Sequence, residues 1–381
     1  MSVWRSSGGP PSSSDGAARP RSPWRAADGA RVLSLRRGVV VTAADGPEQE
    51  LIVELADGRH PAVADVSLTG RCEPGDTVIV NVEARELGLG SGGFDIVHVN
   101  LTRGLDGQGR PGADVIKLNY TSIQHAVIAL ETQAGADASA GRARAAGGAV
   151  GVIALHGQLA PLAWSLAQAR PGLRLGYVQT AGGALPGSHS AVVRELRERG
   201  LLAAHVTAGP CYGGPDGDAI TTIGAIDHGL ASHVLDAVVC GPGPGIIGSG
   251  STLGHGGMAA LDSAHAALAL DAPTLIVPRM STGDRRPRHQ GISHHSRTVL
   301  ELVLAAVSVA LPPGVDPPAW GERHTWLRGG ADLAGYAASG LPASTMGRSL
   351  DADPVFFAVG LAAGEILAGT ADQQRRNNGR H

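Results

Sequence analysis

The chain has few cysteines, almost no lysine and few aromatic residues. Its three cysteines, Cys72, Cys211 and Cys240, are far apart in sequence, and no Cys-x-x-Cys pair is present. This pattern excludes a disulfide framework and a zinc site built from thiolates. Lys117 is the single lysine among 31 basic residues, and the formal net charge is only −3. Such a balance provides no overall positive field, so we expect neither nucleic acid nor a membrane as a partner.

Long hydrophobic runs are also missing from the sequence. The longest apolar stretch, residues 299–311, is too short to span a bilayer and contains Glu301. Residues 1–28 include no apolar run of signal-peptide length, so we expect no secretion signal there. We therefore expect a cytoplasmic protein without a membrane-spanning segment, and the scattered cysteines fit a reducing compartment.

Glycine is abundant, with 56 glycines and 24 prolines among 381 residues, of which 43% are hydrophobic. This composition predicts a globular protein with many loops. Residues 1–30 are a low-complexity segment that we expect to be disordered. In residues 31–113, apolar residues alternate in short runs between turns. They predict about five strands closed into a small β-barrel of the SH3 or OB type.

Residues 114–370 have the pattern of an α/β domain. Five almost continuously apolar runs predict buried strands, at residues 150–155, 173–178, 203–207, 237–240 and 274–277. Crossover helices are predicted between them, at residues 160–168, 190–199, 219–233 and 258–270. This alternation predicts a mostly parallel, doubly wound (Rossmann-like) sheet with helices on both faces. The remaining predictions are a helix at 294–307, a strand at 307–311, a last helix from Pro354 to Gly369, and a disordered tail at 371–381.

Many of the glycines follow predicted strands, at the edge where open α/β sheets bind ligands. The densest segment, residues 241–257, reads GPGPGIIGSGSTLGHGG. Its second half is predicted to offer backbone N–H groups and hydroxyls to an anion at the start of the next helix, from Gly248, Ser249, Gly250, Ser251, Thr252 and Gly254. Further ligand-binding candidates in other loops are His156, Gln179, Thr180, Arg279 and Arg348.

Three residues are candidates for catalysis. Lys117 is retained where the chain otherwise uses arginine, and a lysine amine can lose its proton as a guanidinium cannot. His255 and His294 lie in candidate loops, and the near-neutral pKa of histidine suits proton transfer. No metal site is predicted, because the adjacent His294 and His295 should point about 100° apart on a helix.

Several segments resemble an uncharacterised family of bacterial two-domain proteins known as a domain of unknown function. They are residues 115–124 (VIKLNYTSIQ), 241–257, 289–300 (HQGISHHSRTVL) and 344–357 (STMGRSLDADPVFF). The resemblance spans about residues 31–369. It implies a shared two-part architecture and brings no activity, cofactor or catalytic residue.

The first functional hypothesis is an enzyme, a transferase or hydrolase acting on a small anionic metabolite that is phosphorylated or nucleotide-like. A second is a ligand-sensing regulatory protein without catalysis. A third is an NADPH-linked oxidoreductase with Arg279 near the 2′-phosphate. Residues 243–248 match Gly-x-Gly-x-x-Gly, but some ten more residues separate this motif from the next predicted helix. No cofactor is identified, and a homo-oligomer is left open.

Overall fold

The N-terminal part of the chain forms a closed barrel in the computed structural model, which describes residues 32–88, 93–133, 147–231 and 235–378. The predicted disordered segment 1–30 lies outside the described residues. The barrel consists of β1 (Leu35–Ala43), β2 (Glu48–Leu55), β3 (Gly58–Asp65), β4 (Thr77–Asn81) and β5 (Asp95–Asn100). Their order around the barrel is β1-β2-β3-β5-β4. Two short helices, α1 (Val66–Thr69) and α2 (Glu83–Glu86), lie in its connections.

Alternating apolar residues explain the barrel. Along β2, Leu51, Val53 and Leu55 point inward and are buried. They meet Val78 and Val80 of β4 in the barrel core. The predicted five-stranded barrel is confirmed, and its boundary at residue 113 stays a prediction.

The second part is built on an eight-stranded parallel sheet. Its strands are β8 (Ala149–Ile153), β9 (Leu175–Thr180), β10 (Ala204–Ala208), β11 (Asp218–Ala219), β12 (Ala237–Pro242), β13 (Thr274–Val277), β16 (Ser308–Leu311) and β17 (Thr325–Arg328). Their order in the sheet is β11-β10-β9-β12-β8-β13-β16-β17. Every residue of β8 is buried, as expected of a strand covered on both faces. The predicted fold class is confirmed.

Short two-stranded ribbons accompany this sheet. They pair β6 (Val115–Lys117) with β7 (His125–Val127), β14 (Met280–Ser281) with β15 (Gly291–Ile292), and β18 (Ser344–Thr345) with β19 (Arg348–Ser349). The sequence did not predict these ribbons, because strands of two or three residues have no recognisable period.

Helices cover both faces of the sheet. They are α3 (Leu159–Ala169), α4 (Ala191–Glu198), α5 (Thr222–Ala231), α6 (Ala259–Ala269), α7 (His294–Leu302), α8 (Leu333–Ala338) and α9 (Pro354–Asn378). On one face, side chains of α3 and α9 such as Leu162 and Phe356 form a core with the sheet. On the other face, Ile226 of α5 and Val299 of α7 contribute to a second core.

The last helix differs from its prediction, because it continues beyond Gly369 to Asn378. A single glycine costs a helix only about 1 kcal/mol. The following turn offsets that cost, since Ala371 is buried and Asp372 pairs with Arg376 at 2.9 Å. The predicted disordered tail at 371–381 is therefore helical as far as residue 378. This helix is long and apolar enough to cross a membrane, but 67% of its most apolar window is buried inside the protein, as in a core helix.

Candidate functional site

The candidate site lies where the loops after β12 and β13 approach each other at the carboxyl edge of the sheet. From β8 the chain continues to β9, which lies on one side of β8, and it later crosses over β8 from β12 to β13. Strands β12 and β13 therefore flank β8, and so do the loops that follow them. In open α/β sheets, ligands bind at such a reversal of strand order. Histidines and arginines collect on these two loops and on α7.

The loop after β12 turns back on itself as a hairpin. A bridge joins Gly248 to His255, and the backbone N–H of Gly256 donates to the carbonyl of Ile247 at 2.7 Å. The N–H groups of Ser249, Ser251 and Gly254 donate to acceptors within the same loop. Helix α6 begins only at Ala259.

Three N–H donors of the predicted anion cradle of residues 248–254 are thus used within the hairpin itself, and the cradle stays a prediction. A short 3-10 helix, Gly256–Met258, connects the hairpin directly to α6. Because the hairpin separates it from these helices, the Gly-x-Gly-x-x-Gly segment 243–248 lacks the strand-turn-helix geometry of a dinucleotide-binding loop. The geometry gives the NADPH hypothesis no support.

The hairpin is held against the loop after β9 by two glycines. The N–H of Ile247 donates to the carbonyl of Gly182 at 3.1 Å. A Cβ atom at Gly182 would overlap the carbonyl of Gly256, and a Cβ at Gly256 would overlap that of Gly182. Gly182 also has φ +112°, which other residues rarely adopt. The two loops can meet this closely because neither position has a side chain.

Helix α7 begins with two histidines whose rings converge. Ser293 caps the helix, and its Oγ accepts a hydrogen bond from the N–H of His295. The ring centroids of His294 and His295 lie 4.3 Å apart. Side chains on a helix tilt toward its N-terminus, so two neighbours in the first turn can both bend over the helix end. The expectation that these rings diverge is wrong.

His255 and His289 complete what we call the histidine cluster, which consists of His255, His289, His294 and His295. The ring of His255 stacks on that of His295 with centroids 3.7 Å apart. The ring of His289 lies 5.0 Å from both His294 and His295, and its Nδ1 pairs with Ser293 Oγ at 2.8 Å. One ligand atom each from His289, His294 and His295 lie within 4.8 Å of one another. Contrary to the sequence prediction, these three residues could hold a metal ion.

Several ring nitrogens of the cluster have no partner. Among the described residues, Nδ1 of His255, Nε2 of His294 and both nitrogens of His295 are buried without a hydrogen bond. Burial lowers the pKa of all four histidines, that of His289 to about 4. Neighbouring histidines and Arg279 lower them further, because positive charges disfavour protonation. The imidazoles are therefore neutral near pH 7.

A charged network adjoins the cluster. Arg279 is 2% exposed and donates from Nη2 to Asp284 at 2.8 Å. Asp284 also accepts hydrogen bonds from Arg286, and these bonds hold its pKa well below the ordinary value. Burial lowers the pKa of Arg279 to about 10, so its guanidinium stays charged. The N–H of Ser293 donates to the carbonyl of Arg279, which connects this network directly to α7.

Asp353 extends the same network. Its carboxylate accepts hydrogen bonds from Ser281 at 2.6 Å, from Arg348 at 2.9 Å and from the N–H groups of Thr282 and Gly283. Nη2 of Arg348 also lies 3.7 Å from the carboxylate of Asp284, which is too far for a hydrogen bond. Among the described residues, Nε of Arg279 and Nη2 of Arg348 are buried without a hydrogen-bond acceptor. The predicted candidates Arg279 and Arg348 are thus brought together at Asp284, and Ser293 links Arg279 to the helix that begins with His294.

The structure does not bring Lys117 to this site. Its ammonium donates to the carbonyl of Cys211 and lies 3.7 Å from Asp218. Both partners belong to the β10–β11 side of the sheet, four to five strand positions from β13, or about 20–25 Å at the usual strand spacing. Burial lowers the pKa of Lys117, and Asp218 opposes that effect. A buried ion pair accounts for the retained lysine.

His156, Gln179 and Thr180 also serve the packing of their loops. Nδ1 of His156 donates to the carbonyl of Pro242 at 3.2 Å, and its Nε2 pairs with Ser190 Oγ at 2.7 Å. The buried amide of Gln179 donates to carbonyls of the loop that follows β9, among them that of Ala184 at 2.9 Å, and its Oε1 pairs with His205. Thr180 bonds to the carbonyl of Ala181. These residues hold the loops in place.

Sequence reasoning missed His295, Asp284, Arg286 and Asp353 as members of the site. One signal was available, since the segment HQGISHH places three histidines within seven residues.

Comparison with known proteins closes the description of the site. No curated protein and no solved structure matches the chain. The family described as "Protein of unknown function (DUF3866)" matches residues 61–364, which is more than half of the sequence, and the chain belongs to this family.

Proposed function

We propose that this protein is an enzyme, a hydrolase or transferase, that acts on a small anionic metabolite at the carboxyl edge of the parallel sheet. The observation that carries the proposal is the pair of buried arginine donors without acceptors, Nε of Arg279 and Nη2 of Arg348 among the described residues. Buried N–H groups without acceptors are costly, and the oxygen atoms of an anionic ligand would satisfy them.

The charge of the network favours an anion as well. Arg279, Arg286 and Arg348 contribute three positive charges, and Asp284 and Asp353 contribute two negative ones. One positive charge remains, and the neighbouring histidines add none while they are neutral. Arg286 is about half exposed, so the network reaches the surface where a ligand would enter.

The histidine cluster provides the chemistry in this proposal. Nε2 of His294 is a buried nitrogen without a partner in the described structure, beside arginines that would hold the substrate. An imidazole in that position can accept a proton from an attacking nucleophile or return it to a leaving group. His255, stacked on His295, is the second candidate for this role. Lys117 has no part in it.

The binding half of the proposal is tested with a matched pair of variants. Arg348→Lys keeps the charge but loses the planar pair of donors, and Arg59→Lys makes the same change at an exposed arginine of the barrel. Inorganic phosphate, AMP, glucose 6-phosphate and citrate are the probes, read by thermal shift and calorimetry. We expect at least one probe to bind, and Arg348→Lys to weaken it by about tenfold or more. Equal binding by both variants would contradict an anion site at this network.

Turnover separates the enzyme from the sensor alternative. A bound probe is incubated with the protein and analysed by mass spectrometry. A product that forms with wild-type protein and is lost in His294→Ala supports the enzyme. A ligand recovered unchanged favours the non-catalytic sensor.

A further inference from the structure

The tautomer of one histidine shows what kind of group the cluster lacks. Nε2 of His255 lies 3.0 Å from the carbonyl of Thr252. A carbonyl can only accept, so Nε2 carries the proton, and in the neutral ring Nδ1 is left with its lone pair. That lone pair is buried and has no donor among the described residues. A hydrogen bond from the outer ring nitrogen to a backbone carbonyl is also the usual arrangement around metal-binding histidines.

His295 makes the same case more strongly. The residue is only 7% exposed, and both of its ring nitrogens are buried without partners in the described part of the chain. Rings packed this closely exclude water from each other, and a ring without polar contacts would be replaced without loss by phenylalanine or leucine. The unused nitrogens of His294 and His295 can instead donate lone pairs to a cation, and a ring nitrogen of His289 lies close enough to join them.

We propose that His289, His294 and His295 bind a divalent transition-metal ion of the zinc class. Their ligand atoms lie within 4.8 Å of one another. Nitrogens around a tetrahedral zinc ion are about 3.3 Å apart, which small rotations of these side chains would reach. Imidazole ligands suit zinc and its transition-metal neighbours, whereas magnesium and calcium prefer oxygen.

Neighbouring residues fit the outer shell of such a site. Nδ1 of His289 faces Ser293 Oγ, which would leave Nε2 as the ligand atom. The stack of His255 on His295 fixes the plane of the His295 ring. Three protein ligands leave one position for water or substrate, as in catalytic zinc sites. The metal would then supply the activated water or polarised substrate oxygen that the proposed hydrolase or transferase needs. Proton transfer would pass from His294, whose lone pair would bind the ion, to His255, whose Nδ1 is also without a partner among the described residues. Metal binding itself does not depend on that function.

The experiment measures metal binding directly, on full-length protein purified without an oligohistidine tag and stripped with a chelator. Calorimetry with Zn²⁺ and with Co²⁺ gives stoichiometry and affinity, and the visible absorption of Co²⁺ reports its coordination. We expect one ion per chain, with at least about a 100-fold loss of affinity in His294→Ala and in His295→Ala. His98→Ala, a barrel histidine outside the cluster, is the matched control and should bind as wild type. Equal binding by all variants, or no binding by wild type, would overturn the proposal.

A second measurement needs no variant and covers the case in which an alanine variant fails to fold. X-ray absorption at the zinc edge of the wild-type protein should show three imidazole ligands and no sulfur. A sulfur ligand, or fewer than two imidazoles, would overturn the assignment. Failure of the proposed function is distinguishable, because an ion bound without turnover leaves the metal site intact. Turnover that survives removal of the metal would show that the proposed reaction does not need the ion.

Discussion

Two groups of buried histidines in the α/β part of the chain differ in what their nitrogens contact. His156 and His205 form the paired group, in which the ring atoms meet Ser190, Pro242 and Gln179. In the histidine cluster, four ring nitrogens have no partner among the described residues. Burial lowers the pKa of histidines in both groups. Depressed pKa values therefore do not separate the two groups, whereas hydrogen-bond satisfaction does.

The difference has an energetic side. A buried polar atom left unpaired costs about 1–3 kcal/mol, so the cluster weakens the folded state while the paired group strengthens it. An unfavourable free-energy contribution of this kind is common at sites where a protein binds a ligand.

Acid should act on the paired group through His156. Burial lowers the pKa of His156 to about 4, from 6.5. Because the unfolded chain takes up a proton that the folded one refuses, stability is present above pH 6.5 and is lost as the pH falls toward 4. Over that range we expect a loss of about 3 kcal/mol of unfolding free energy from this residue. Guanidinium unfolding of wild type and His156→Gln measures it, and equal losses in the two proteins would contradict the assignment.

Zinc should act on the cluster alone. If the cluster binds the ion, a free Zn²⁺ concentration of 100 times the Kd stabilises the folded wild-type protein by about 2.7 kcal/mol. His294→Ala, whose affinity is expected to be at least about 100-fold lower, should gain no more than about 0.4 kcal/mol, and His156→Gln should gain as much as wild type. Urea unfolding with and without the ion gives these values. A gain in His294→Ala equal to that of wild type would mean that the ion binds elsewhere.

Gly256→Ala should disturb the cluster without touching a histidine. The new methyl group would overlap the carbonyl of Gly182 and push the hairpin away from the loop after β9. We expect a loss of about 2 kcal/mol of unfolding free energy and weaker zinc binding, since His255 would shift from His295. Gly250→Ala changes the same hairpin where a Cβ meets open space, and it should leave both values unchanged. Identical behaviour of the two variants would show that the loop contact is unimportant.

His255→Phe should have the smallest effect. Phenylalanine keeps the stack on His295 and removes the unpaired Nδ1. It also removes the hydrogen bond from Nε2 to the carbonyl of Thr252, but Thr252 is exposed and water can bond that carbonyl. The unfolding free energy should therefore change by less than about 1 kcal/mol. The matching change in the paired group, His205→Phe, leaves Gln179 Oε1 without its partner and should destabilise the protein by more. Comparative denaturation of the two variants is the measurement. A larger loss in His255→Phe would mean that the cluster is already satisfied.

The fold was predictable because its strands are buried on both faces. Continuous apolar runs located β8, β9, β10, β12 and β13 to within a few residues. Strand β17 was missed because it lies at the edge of the sheet and combines Thr325, Trp326 and Arg328 without alternation. Local pattern identifies interior strands better than edge strands, whose residues face solvent.

The site was only partly predictable. Arg279, Arg348, His255 and His294 were named, but the meeting of the four cluster histidines depends on a hairpin after β12 reaching a helix that follows β13. Sequence spacing contains no information on such a contact. Lys117 misled for a related reason, since rarity in the composition cannot distinguish a catalytic amine from a buried partner of Asp218.

The contact between Gly182 and Gly256 limits how the sequence can evolve. Each carbonyl occupies the space in which a side chain at the other position would lie. The two positions therefore constrain each other although they are 74 positions apart in the sequence. A mutation at either one cannot be repaired by a change at the other, because both must stay empty for the loops to meet. Members of the family that carry the histidine cluster are therefore expected to keep both glycines, and a member that has lost the cluster is free to replace either.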